Sequence, residues 1–177
     1  DVSGMDYTGG ENRWRFCQFG NATIASNGAD PIQESINTGD FASIDGAPVA
    51  AIVEVTSGFV FAFDTTDDTS GHQPNGWACC ALYDQEDWTP SEATQAATGI
   101  IIDTPGKITA GRALGTNIVA YKKDSMYYGT YQGPPVIWAF NQISPIVGAP
   151  CHEAVLPIGP PSAHRGSRSS GAACRPR

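Results

Sequence analysis

Phe59-Val60-Phe61-Ala62-Phe63 decides the fold. Successive side chains of an extended chain point to opposite sides, so the three phenylalanines share one face while Val60 and Ala62 take the other. Ser57-Gly58 stands just before this run, at a place suited to a reversal because Gly accepts positive φ at little cost. Val49 to Val55 lies on the far side of that turn as a second strand.

Working outward, the same two-residue period marks Trp14 to Phe19, Ala22 to Ser26, Gly76 to Tyr83, Ile108 to Ala113, Asn117 to Tyr121, Ser125 to Tyr131 and Val136 to Gln142. Asn27-Gly28, Asp45-Gly46, Asn75-Gly76 and Leu114-Gly115 are further expected reversals. Gly129 to Pro135 reads as a rigid turn joining two aromatic strands. Ser91 to Ala97 is expected to make one helical turn or two, and no longer segment carries a capped 3.6-residue stripe. The expected class is therefore all-β, a succession of antiparallel hairpins.

A faint repeat accompanies it. Val49-Ala50-Ala51 and Phe59-Val60-Phe61-Ala62 recur as Ile108-Thr109-Ala110 and Ile118-Val119-Ala120-Tyr121, at an offset of 59 positions. Repeated hairpin units that cannot bury both faces alone are the mark of propellers and other arrays. The expected fold is a propeller-like or partial β-propeller over residues 1 to 159, with enough strands for two to four sheets.

Composition sets limits on function. The 177 residues carry a net charge of -8, which opposes general nucleic-acid binding because phosphate contacts need clustered Lys and Arg. Four of the seven arginines, Arg165, Arg168, Arg175 and Arg177, fall after Pro160 in an aperiodic Ser, Gly, Ala and Pro-rich stretch. Residues 160 to 177 read as a disordered tail, and the body carries near -12, six basic residues against 18 acidic ones. The five cysteines include an adjacent pair and no CxxC spacing, so neither a disulfide framework nor a zinc site is indicated. No run approaches the roughly 18 to 20 apolar residues of a membrane helix. The start at Asp1 and the change of character near Gly159 suggest a trimmed, truncated or frameshifted product.

Several clusters invite a chemical reading. Asp84-Gln85-Glu86-Asp87 holds paired carboxylates of the kind glycoside hydrolases use, yet an acidic turn before Trp88-Thr89-Pro90 is more simply a hairpin tip capping its own amides, with Trp88 packed beneath it. Asp64, Asp67, Asp68 and Ser70 offer oxygens to a calcium ion without the spacing of an EF-hand, and read better as a mobile acidic loop. Cys151-His152-Glu153 sets a thiol beside a base, but neighbours on a strand face opposite ways and no third partner is evident. His72 sits in a polar loop, and no phosphate loop, GxSxG or HExxH run occurs. No catalytic, cofactor-binding or metal residue is assigned.

An ordered series of segments then resembles a known family. Gln18-Phe19-Gly20-Asn21 and Ala25-Ser26-Asn27-Gly28-Ala29-Asp30-Pro31-Ile32-Gln33 are followed by Ala47-Pro48-Val49-Ala50, Trp77-Ala78 and Asp87-Trp88-Thr89-Pro90. Pro105-Gly106-Lys107-Ile108-Thr109-Ala110-Gly111, Val119-Ala120-Tyr121-Lys122, Gly133-Pro134-Pro135-Val136-Ile137-Trp138 and Gly148-Ala149-Pro150-Cys151 continue it. Together they resemble the packaged-DNA stabilisation, tail-hub or head-to-tail connector proteins of short-tailed bacteriophages, over about residues 14 to 159.

The resemblance implies a virion structural subunit of tail or neck, assembled in the host cytoplasm, that helps retain packaged DNA. It implies a homo-oligomeric ring docked on portal-side and tail proteins, and no enzyme, cofactor, membrane or sequence-specific nucleic-acid contact. The expected contact loops are Asp64 to Asn75, with Asp64, Asp67, Asp68 and His72, and Asp84 to Ser91, with Asp84, Glu86 and Asp87. The expected core includes Trp77, Trp88, Trp138, Phe59, Phe61 and Tyr127. The alternative is a secreted carbohydrate-binding or glycan-cleaving propeller with Asp84, Asp87, Glu92 and an exposed Trp88 as its sugar site. A third reading is a secreted adhesion module, with Asn21-Ala22-Thr23 as a glycosylation acceptor.

Overall fold

A computed structural model of the chain describes residues 5–8 and 13–156, and over these the protein is all-β. The first sheet is β1 (Arg15–Phe19), β2 (Ala22–Ser26), β3 (Gln33–Ile36) and β4 (Ala42–Ser43). The second is β5 (Val49–Thr56), β6 (Phe59–Asp67), β7 (Gly71–Cys79) and β8 (Ala97–Ile100). The third is β9 (Ile108–Leu114), β10 (Asn117–Lys122), β11 (Met126–Gly133) and β12 (Ile137–Ser144). Each is an antiparallel meander in which chain neighbours are sheet neighbours. The first strand of each sheet touches the first strand of the next, β1 against β5 and β5 against β9. Stacked four-stranded meanders with their leading strands together make a propeller-like arrangement, and three such sheets form a partial one.

β6 explains the stacking. Phe59, Phe61 and Phe63 enter one apolar cluster with Trp77, Ile118, Tyr127 and Trp138 of the second and third sheets. Val60 and Ala62 enter another with Ala22, Ile24 and Trp88, against the first sheet. The alternation in the sequence thus puts the second sheet between its neighbours, buried on both faces. All six expected core residues are buried, from Tyr127 and Phe61 at 0% exposure to Trp77 at 8%. Close approach also matters: a Cβ at Gly111 in β9 would lie 2.5 Å from the Phe63 ring, so glycine there lets the third sheet seat on the second.

The repeat is real but one residue out of step. β5 and β9 end at Thr56 and Leu114, and β6 and β10 begin at Phe59 and Asn117, both 58 positions apart. The pairing of β9 with β10 shifts between Tyr121 and Lys122, where Lys122 faces Ile108. The offset of 59 arises because β9 has seven residues and β5 eight, so their first residues Val49 and Ile108 lie 59 apart while their last lie 58 apart. Since a one-residue slip exchanges the two faces of a strand, Ile118 and Ala120 are counterparts of Val60 and Ala62, not of Phe59 and Phe61.

Other expectations need correction. β3, β4 and β8 lack an apolar alternation long enough to read, and only pairing with β2 and β7 makes them strands. Asn75-Gly76 is inside β7, and the reversal falls at Asp67–Gly71 instead. Gly76 to Tyr83 leaves the sheet at Cys79. Ser91 to Ala97 forms an isolated turn closed by Gln95 N donating to Ser91 O at 2.7 Å, not a helix, and Ala97 opens β8. The tail from 160 lies outside the described residues.

Candidate functional site

Among the expected contact residues Asp64 is the most constrained. It has φ of 54° where the β6–β7 pairing shifts between Phe63 and Thr65, and its side chain is only 6% exposed. His72 Nε2 lies 2.7 Å from its Oδ1, and Lys107 Nζ donates to Oδ2 at 3.5 Å. A carboxylate so enclosed needs charged partners, and Lys107 precedes β9, so Asp64 ties the second sheet to the approach of the third. This corrects the mobile acidic loop expected at Asp64, Asp67, Asp68 and Ser70, since Asp64 and Asp67 lie in β6, and most of the expected contact loop Asp64 to Asn75 is β6 and β7.

Asp67 closes the hairpin itself. Its Oδ1 accepts from the amides of Thr69 and Ser70 at 2.8 and 2.6 Å, while Asp68 and Ser70 stay exposed. The four oxygen donors do not converge, and among the described residues no group of three or more His, Cys, Asp or Glu could hold a metal ion. Asp67→Ala is expected to lower stability by about 1 kcal/mol, the usual worth of a side-chain cap on turn amides. An unchanged urea midpoint would show the turn to be held by its backbone alone.

The second loop is also used up internally. Asp84 Oδ1 accepts from Glu86 N at 3.1 Å and Asp87 Oδ1 from Thr89 N at 2.9 Å, while Glu86 is exposed. Trp88 donates from Nε1 to Gln85 O at 2.8 Å and is 5% exposed. The glycan alternative needed Trp88 as an exposed stacking face, and its burial overturns that part. An open cleft of about 840 Å³ does lie beside it, lined by Pro48, Thr65, Asp67, Trp77, Trp88 and Thr98.

A charged cluster not foreseen in the sequence joins the leading strands. The short turn His152–Ala154 lies against β9 and is bonded by arginines of β1 and β9 that also reach β5. Arg15 of β1 donates from Nη1 to Ala51 O at 2.6 Å and from Nη2 to Glu153 Oε1 at 3.0 Å. Arg112 of β9 donates to Glu54 Oε2 of β5 at 3.2 Å, to His152 O at 3.3 Å and to Val155 O at 3.0 Å. His152 is 6% exposed and its Nδ1 lies 3.5 Å from Gly111 N, on the free edge of β9. Two arginines therefore hold the turn across an edge of each sheet, and an edge so covered is closed to further strand pairing.

This environment moves ionisations. Burial, and then Arg112 and Arg15, lower the His152 pKa to about 4. Burial raises that of Glu54 in spite of Arg112. Burial pushes the thiols of Cys17, Cys79 and Cys80 up to about 12, so none is a thiolate nucleophile at neutral pH. Cys151 is exposed, while His152 is turned to the backbone of β9. His152 and Glu153 of this run act as a strut, His152 toward Gly111 of β9 and Glu153 toward Arg15 of β1.

A second strut is Lys122, 1% exposed, whose Nζ donates to the carbonyls of Ile101 and Thr104 at 2.6 and 2.5 Å. Burial lowers its pKa, with Asp103 opposing. It clips the connection between β8 and β9 onto the third sheet. Glu54 and Arg112 carried the one available signal, each being a lone charge in an apolar strand. No helix among the described residues is long and apolar enough to cross a membrane. Comparison with family models and with curated proteins finds no match.

Proposed function

We propose that this chain is a structural subunit of the tail hub or head-to-tail junction of a short-tailed bacteriophage, and that it helps retain packaged DNA by assembly and not by catalysis. The observation that carries the reading is the stack of sheets with apolar side chains left open at both ends: Phe16 is 61% exposed on the first sheet and Ile146 is 84% exposed beyond the third. Large exposed apolar side chains grouped on one surface mark contact with other proteins. The loops considered for chemistry support this, since Asp64, Asp67, Asp84 and Asp87 serve the fold's own amides and cations. The resemblance supplies the virion setting. Two of its segments, Ala47-Pro48-Val49-Ala50 and Pro105-Gly106-Lys107-Ile108, stand at matching places, leading into β5 and β9.

In that setting, neighbouring portal-side and tail proteins bury the open faces, as part of a ring. The body's acidity makes direct phosphate contact unfavourable, so retention of DNA is by closing the exit. The test is mass spectrometry of purified particles. Peptides of this chain, such as the one ending at Arg112, are expected at fixed stoichiometry with capsid and portal proteins. Their absence from particles that hold both of those proteins would refute the reading.

A further inference from the structure

β8 is the outer edge of the second sheet. Ile101, just past its end, donates from its backbone N to Asn75 O at 2.9 Å, so its backbone groups turn toward β7. In an antiparallel ladder that orientation alternates from residue to residue. Ala97 and Gly99 therefore bond to β7, while Thr98 and Ile100 turn their N–H and C=O groups to the open side, where they meet no partner among the described residues. Charged residues or proline commonly blunt such an edge, and Ala97-Thr98-Gly99-Ile100 has neither. The free edge of β9, in contrast, is taken up by His152.

The face beside this edge is uncovered as well. Thr98 stands opposite Ala78 and Ile100 opposite Gly76. Ala78 belongs to the cluster shared with the first sheet, so Thr98 and Ile100 also look toward that sheet. The first sheet meets the second through β1 and β2 against β5, and its outer strands β3 and β4, of four and two residues, are too short to cover β7 and β8. The open cleft of about 840 Å³ beside Trp88 lies there and reaches Thr98, Gly99 and Ile100. Ile100 is 54% exposed and Ile102 67%, with Ile101 buried between them, so apolar side chains mark the open edge at a two-residue period. The cleft lining holds the carboxylates of Asp67 and Asp68 and no Lys, Arg or His.

We infer that β8 accepts an extended segment of another polypeptide as an added strand of the second sheet, with a Lys or Arg of that segment directed along the cleft toward Asp67 and Asp68. Backbone bonds to Thr98 and Ile100 supply the affinity, and alternate side chains, laid over Ile100 and into the cleft, supply the selection. Charge complementarity makes the segment basic: Asp67 commits Oδ1 to the turn amides, and Asp68 stays exposed. This surface belongs to the second sheet and is separate from the open faces of the first and third. The inference goes beyond the virion reading and stands without it.

The test uses the full chain and a fluorescent peptide of about six alternating valines and threonines with an arginine at each end, the length of an ordinary strand. In the free chain the amides of Thr98 and Ile100 are expected to exchange with deuterated solvent rapidly and that of Gly99 slowly, as read by NMR, and the peptide is expected to slow the first two. N-methylation of one set of alternate peptide amides is expected to weaken binding, read by anisotropy, about tenfold or more, and methylation of the other set to leave it unchanged. Glutamate in place of arginine, or added salt, weakens it too. Ile100→Pro removes an N–H that β7 does not use, and Ile100→Lys places a cation on an exposed position; both are expected to keep the native circular dichroism and to bind about tenfold more weakly. Slow exchange of Thr98 and Ile100 in the free chain, whether the edge is covered by a second copy or from within, would overturn the inference. So would a peptide that fails to bind, or one that binds equally well with either set of amides methylated. None of these bears on whether particles contain the chain, so the two readings fail separately.

Discussion

Phe61→Ala is expected to lower the unfolding free energy by about 4 kcal/mol, the range for deleting a fully buried aromatic ring. Phe61 is 0% exposed, and its ring lies 4.9 Å from Trp138, 5.8 Å from Phe63, 6.3 Å from Trp77 and 6.4 Å from Phe140. Those partners sit on strands of two sheets, so the surroundings cannot collapse into the hole without unseating one sheet from the other. Loss of edge-to-face ring contacts adds to the cavity term. Val60→Ala, at the next residue and on the other face, removes only two methyl carbons and is expected to cost about 1–2 kcal/mol. Urea unfolding of both variants is the check. If Phe61→Ala cost no more than Val60→Ala, the contact between the second and third sheets would be looser than the packing of β6 requires.

That ordering was legible because β6 alternates without interruption. Phe59, Phe61 and Phe63 could only share a face, and the strand with the strongest alternation proved to be the middle of the stack. Legibility failed where a strand owes its existence to a neighbour. Gln33–Ile36 and Ala97–Ile100 carry little apolar periodicity of their own. It failed again at Asn75-Gly76, where a turn dipeptide is held inside β7 by the pairing of Gly76 with Ile100 of β8 and the bond from Ile101 N to Asn75 O. In each case tertiary pairing overrides local preference. The offset of 59 was misread for a different reason: β9 is one residue shorter than β5 at its start, and nothing in the letters marks where the strand begins.

The site expectations divide in the same way. Local chemistry was readable, as in the caps of Asp84 and Asp87 and the packing of Trp88 beneath its turn, since these depend on residues two or three positions away. Long-range partnerships were not. Asp64 meets Lys107 across 43 positions and Arg15 meets Glu153 across 138. The leading strands can bring such residues together only after the sheets have stacked, so the charged cluster is a product of the fold and cannot precede it.

The cluster makes the fold acid-sensitive through His152. Its imidazole is held neutral, with the pKa lowered from the ordinary 6.5 to about 4 by burial and by Arg112 and Arg15, while Glu153 opposes. The unfolded chain takes up a proton near pH 6.5, whereas the folded one does so only near 4. Stability contributed by the neutral ring is thus present in full above pH 6.5, falls as the pH drops from there to about 4, and then levels off. The whole difference corresponds to roughly 3 kcal/mol. Because the arginine side chains retain some contact with water, about 2 kcal/mol is expected. Glu54 works in the opposite direction, since its raised pKa favours the folded state as the pH falls, and Glu153 and Asp30, with lowered pKa values, add to the acid loss. His152→Asn isolates the ring: it keeps an acceptor for the Gly111 amide and removes the titration. Native and variant proteins should therefore differ in slope between pH 6.5 and 4 in unfolding free energy, the variant losing about 2 kcal/mol less over that interval. Parallel profiles would mean that His152 takes up its proton without strain beside two arginines, and that the turn does not hold the leading strands in the way its contacts require.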